Sequence, residues 1–150
     1  MTRRVAAPAA AVFAIVADPA GHVAIDGSGM LEAAPDARRL TAVGDTFEIA
    51  MDREPLGDLA IGKYQVRNTV TRIEPDRLVE WSVGNDDRAS FGYTWGWEIT
   101  PVSDTETDVT NYFDWSGLSE KRKATASLPL IPITTIERSV ENLARLVTET

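Results

Sequence analysis

The chain has 150 residues, 43% of them hydrophobic and 25% charged, with a formal net charge of −8 and a pI near 4.6. This length suffices for one domain with a buried core, and a surface this acidic repels phosphate backbones and anionic headgroups, so neither nucleic acid nor a stably bound membrane is an expected partner. With no cysteine and one histidine, disulfides, thiolate chemistry and a His-rich metal centre are excluded, and no metal or nucleotide cofactor is expected.

Thr2 to Val5 reads as a short edge strand and Pro8 to Ala17 as a first helix, whose apolar face is Val12, Phe13, Ile15 and Val16. The same stretch, two arginines followed by an apolar run, has the outline of an export leader. The helical face argues instead that it is a retained structural element, and a cytoplasmic protein is expected. Asp18-Pro19 ends the helix, and Gly21 to Ile25 forms a second short one. Asp26-Gly27-Ser28-Gly29 is a turn.

Strands follow in series. Met30 to Ala33 and Arg38 to Leu40 flank a turn at Pro35-Asp36. Asp45 to Met51 alternates, with Phe47, Ile49 and Met51 on one face. Glu54 to Gly62 is a loop. Tyr64 to Ile73, Leu78 to Val83, Tyr93 to Thr100 and Val109 to Trp115 alternate in turn, joined by links too short for helical crossovers. Ser116 to Leu130 is a linker carrying a helical turn and the basic run Lys121-Arg122-Lys123. Pro132 to Glu149 then places Ile133, Ile136, Val140, Leu143 and Val147 along one stripe of a long helix, with Glu141 and Arg145 as an i,i+4 pair on the polar side. Pro132 suits the start of such a helix. No apolar run is long enough to span a bilayer. The pattern is α+β: an antiparallel sheet of six to seven strands with helices on one face, in one domain covering residues 1–150.

One face of the last four strands collects Tyr64, Asn68, Trp81, Tyr93, Trp95, Trp97, Asn111, Phe113 and Trp115, including all four tryptophans of the chain. Such a face either fills a core or walls a pocket in which aromatic sides and a few polar groups orient a ligand. Ile136 and Val140 face it from the terminal helix. A buried amide without a partner is costly, so Asn68 and Asn111 favour the pocket.

These residues carry a resemblance. Pro8-x4-Phe13, Asp18-Pro19 and His22-x2-Ile25-Asp26-Gly27-Ser28-Gly29 are similar to the opening of actinobacterial START-like (SRPBCC) proteins. Gly44-Asp45-Thr46-Phe47, Tyr64-x-Val66-x-Asn68-Thr69-Val70, Trp95-x-Trp97-Glu98-Ile99-x-Pro101 and Thr110-x2-Phe113-Asp114-Trp115-Ser116 extend it, as does Ile136-Glu137-x2-Val140-x2-Leu143-Ala144. The resemblance covers nearly the whole chain. It implies the helix-grip fold, in which a seven-stranded sheet curls round the C-terminal helix and the cavity between them takes apolar small molecules. That scaffold carries many activities, so the resemblance is weak evidence for any one of them.

His22 and Asp26 lie four residues apart, so one helical turn would let them act as base and orienting carboxylate. The alternative is that Asp26 organises the turn at Gly27 while His22 sits at the surface. Ser28 lacks the strand–turn–helix setting of an activated nucleophile. Glu80 and Glu98 fall on the outward faces. Three readings follow: a binding protein for an apolar, ring-containing molecule; a cyclase or dehydratase using the same cavity; and a protein-interaction module of the same fold. A homodimer is compatible with each.

Overall fold

The computed structural model describes residues 1–125 and 130–149. Among them the order is β1 (Thr2–Val5), α1 (Ala9–Val16), α2 (Pro19–Ile25), β2 (Leu31–Ala33), β3 (Thr46–Asp52), β4 (Lys63–Glu74), β5 (Leu78–Gly84), β6 (Thr94–Pro101), β7 (Thr107–Asp114), α3 (Glu120–Thr125) and α4 (Ile133–Thr148). The strands form one curved antiparallel sheet in the order β1-β7-β6-β5-β4-β3-β2. From β2 to β7 each strand pairs with its successor, and β1 returns to the edge beside β7. This is the helix-grip architecture.

Local signals explain where the helices begin. Pro8 precedes α1, and Asp18 caps α2 by accepting from the Ala20 N–H at 2.9 Å, with Pro19 in the first turn. Pro132 caps α4. The apolar stripe of α4 is buried at Ile136, Val140, Leu143, Ala144 and Val147, and the helix packs on β1, β7, α1 and α2. Gly27 is needed where the α2–β2 turn docks on α4. A Cβ there would strike the Thr135 carbonyl and the Ser139 backbone nitrogen, while the Gly27 N–H donates to Ser139 Oγ at 2.8 Å.

The registers set Phe47 opposite Asn68, Ile49 opposite Val66 and Met51 opposite Tyr64. They set Trp81 opposite Trp95, Trp97 opposite Asn111 and Trp95 opposite Phe113. The alternating residues therefore share the concave side. A register shift between Val70 and Arg72 interrupts the β4–β5 ladder, and there Thr71 donates to Glu80 Oε1 at 2.7 Å on the convex side.

Arg38 to Leu40 is not a strand. Leu40 is buried at 3% exposure, and its N–H donates to the Ala17 carbonyl at 2.7 Å, so the segment is tied to the end of α1 and not to the sheet. The loop after β3 contains a 3-10 turn at Glu54–Leu56. Of the linker from Ser116 to Leu130, α3 supplies the expected helical turn, and residues 126–129 lie outside the described residues.

Candidate functional site

A cavity of about 210 Å³ lies between the concave face and the helices α2 and α4. It is smaller than the roughly 300–1,000 Å³ common for ligand pockets, so it suits a compact guest. Its wall takes Tyr64, Asn68, Trp81, Tyr93, Trp95, Trp97, Asn111 and Phe113 from the sheet and its adjoining loop, Ile136 from α4, and His22 and Asp26 from α2 and its end. Trp95 stacks on Phe113 with centroids 4.5 Å apart, and Tyr93 meets Phe113 edge-on at 5.2 Å. Two expected lining residues are elsewhere. Trp115 lies just beyond β7 and packs against Phe113, outside the cavity wall. Val140 is 1% exposed and belongs to the closed core beneath α4.

The two asparagines differ. Asn111 Nδ2 donates to the Gly96 carbonyl at 2.9 Å, so this side chain joins β7 to β6. Asn68 is 4% exposed, and its Oδ1 is buried without a partner. Its side chain makes no hydrogen bond among the described residues.

His22 is buried, not at the surface. Its Nε2 lies 2.6 Å from the Val16 carbonyl, which requires the proton on that nitrogen. Burial disfavours the imidazolium and pushes the pKa down to about 4, so the ring is neutral near pH 7. Nδ1 is then an acceptor, and no described residue donates to it. Asp26 does not pair with His22. Its Oδ1 accepts from the Ser28 N–H at 2.9 Å and the Ser28 hydroxyl at 2.7 Å, and its Oδ2 from the Leu31 N–H at 3.1 Å. It holds the turn between α2 and β2, and no histidine–carboxylate pair is assembled.

The more exposed end of the cavity is framed by Arg53, Tyr64, Phe91, Tyr93, Leu130 and Ile131. Arg53 donates through Nε and Nη2 to Asp58 at 3.0 and 2.7 Å, and through Nη2 to the Leu130 carbonyl at 2.8 Å. The Asp58 carboxylate raises the Arg53 pKa, and the guanidinium in turn lowers that of Asp58. Burial raises the pKa of Tyr64 and pushes that of Tyr93 up to about 12, so both phenols stay protonated. Arg53 escaped the sequence reading, although it continues the Ile49–Met51 alternation by one further step. Leu130 and Ile131 carry no periodic signal that could have placed them.

Comparisons with known proteins agree with this architecture. An uncharacterised protein of Mycobacterium tuberculosis is 39% identical over 111 residues, which is 74% of this chain and 44% of that protein, so the match spans less than half of the relative's length. A solved structure from Mycobacterium smegmatis superposes with a TM-score of 0.69 at 17% identity, over 99% of this chain and 88% of that one. Norcoclaurine synthase from Thalictrum flavum superposes with a TM-score of 0.60 at 16% identity, over 100% and 92% of the two chains. At these identities the solved structures show a shared fold. The family model described as polyketide cyclase / dehydrase and lipid transport matches residues 1–148. With that match over the whole sheet and both cavity-lining helices, the chain belongs to the polyketide cyclase / dehydrase and lipid transport family.

Proposed function

We propose that this domain binds a compact, apolar, ring-containing small molecule in the cavity between its sheet and α4. The observation that carries the reading is Asn68. It is a buried amide without a protein partner in a wall of Trp81, Trp95, Trp97 and Phe113. Leaving such a group unpaired costs about 1–3 kcal/mol, a cost that a guest molecule or water in the cavity removes. The aromatic walls offer stacking surfaces for a flat guest.

The binding reading is preferred to the cyclase or dehydratase one for a chemical reason. His22 with a pKa near 4 is a weak base, Asp26 is committed to its turn, and the tyrosines hold their protons tightly. The interaction-module reading has no comparable support, because it gives the unpaired amide no role.

Titration with N-phenyl-1-naphthylamine tests the proposal. Binding should raise the probe's emission and quench tryptophan fluorescence by energy transfer, saturating at one probe per chain. If neither signal changes up to the probe's solubility limit, the aromatic face is closed core and the reading is wrong.

A further inference from the structure

The uncommitted polar groups of the cavity differ in chemical character between its two ends. Asn68 makes no side-chain hydrogen bond among the described residues, so it offers a buried Oδ1 acceptor and an Nδ2 donor. His22 Nδ1 is a second acceptor, since the ring's proton is committed to Val16 through Nε2. Shared neighbours place both at the closed end. Phe47 is the register partner of Asn68 and meets the His22 ring edge-on at 5.3 Å. Trp81 stacks on His22 and lies across from Val70, two residues along β4 from Asn68.

Donors occupy the open end. Arg53 spends Nε and Nη2 on Asp58 and Leu130, and its Nη1 makes no hydrogen bond among the described residues. The hydroxyls of Tyr64 and Tyr93 are likewise uncommitted there. Tyr64 is four residues from Asn68 on β4, roughly 13 Å of strand. The guanidinium favours any carbonyl or carboxylate oxygen brought to this end.

We infer that the cavity selects a flat ring molecule polarised from end to end. A hydroxyl enters first, donating to His22 Nδ1 and accepting from Asn68 Nδ2, while a carboxylate or carbonyl remains at the mouth and accepts from Arg53, Tyr64 and Tyr93. This inference rests on the binding role proposed above and adds the ligand's polarity and direction of entry. A purely hydrocarbon guest leaves the polar groups of His22 and Asn68 unpaired, and a guest inserted the other way sets its carboxylate against the His22 Nδ1 acceptor. Either mismatch is penalised in a buried site more strongly than the matched pair is rewarded.

The test uses four naphthalene probes on the unaltered protein: 6-hydroxy-2-naphthoate, 6-methoxy-2-naphthoate, 2-naphthol and N-phenyl-1-naphthylamine. Dissociation constants come from fluorescence titration. The expected result is that 6-hydroxy-2-naphthoate binds about ten-fold more tightly than its methyl ether, which has lost the donor. It should also bind more tightly than 2-naphthol, which lacks the carboxylate. In His22→Phe the advantage over the methyl ether should shrink, and in Arg53→Met the advantage over 2-naphthol should shrink. Equal affinities for the three naphthalenes, tighter binding of the methyl ether, or binding of N-phenyl-1-naphthylamine alone would overturn the polarity while leaving the binding role standing. If no probe binds, both fall. The comparison on the unaltered protein decides the matter even where a variant folds poorly.

Discussion

The imidazole of His22 lies nearly flat on the indole of Trp81, with centroids 4.5 Å apart and planes 21° from parallel. With Nε2 held by the Val16 carbonyl, the ring behaves as one more aromatic panel of the cavity wall. That role depends on its staying neutral, because protonation places a charge in a buried site where the lost hydration outweighs the attraction of the Asp18 carboxylate.

The folded-state pKa near 4 lies below the usual 6.5, so as pH falls the unfolded chain takes up this proton first. The stabilising contribution of neutral His22 is complete above about pH 6.5 and is lost as pH falls toward 4, amounting to about 3 kcal/mol. Urea unfolding at pH 7 and pH 4 should show a larger loss for the parent protein than for His22→Phe, by about that amount. Equal losses would mean that His22 titrates normally.

The two asparagines should respond in opposite ways. Asn111→Leu removes the donor to the Gly96 carbonyl and is expected to cost about 1–3 kcal/mol. Asn68→Leu removes a buried amide that has no protein partner, so stability should be unchanged or slightly raised. Thermal melts of both variants without ligand check this. A large loss in Asn68→Leu would reveal a structural partner for the amide.

Leu143 is fully buried at the centre of the α4 stripe. Leu143→Ala should cost about 2–5 kcal/mol, because the sheet curled round the helix cannot collapse fully into the space left. An unchanged melting temperature would be incompatible with α4 as the gripped helix.

On the convex side the Tyr112 ring lies across Gly96, and its hydroxyl donates to Glu80, which also accepts from Thr71. A Cβ at position 96 would collide with the ring. Gly96→Ala should therefore destabilise the protein by about 1–3 kcal/mol. In a Tyr112→Ala background the same change should cost much less, a non-additivity that a double-mutant cycle measures. Additive effects would rule out the steric account.

The sheet was legible in the sequence because one period repeats along the strands that wall the cavity, and in β4 it slips only beyond Val70, past the cavity-lining residues. Trp81, Trp95 and Trp97 stand on the concave side as that period requires. Arg38 to Leu40 misled because Leu40 satisfies both its burial and its N–H against α1, giving a strand-like hydrophobic signal with no strand partner. The site was less legible. Parity puts Asn68 and Asn111 on the same face, yet it does not say which amide finds a carbonyl. That depends on the approach of Gly96 across the β6–β7 ladder. The four-residue spacing of His22 and Asp26 was real, but the helix ends between them and the carboxylate turns back to the chain beyond it.

The position of β1 also bears on how the fold is assembled. Strands β2 to β7 are successive hairpins that can form from near neighbours, whereas β1 must find β7 across about a hundred intervening residues, as in the pairing of Thr2 with Thr110. Until it does, β7 presents an unpaired edge to any other chain in the same state. Assembly is therefore exposed to edge-to-edge association in its last step, and crowded refolding should lose material to aggregates that dilution prevents. Pulse-labelled hydrogen exchange during refolding checks the order: amides of β4 and β5 should gain protection before those of β1, and simultaneous protection would mean that the two edges close together.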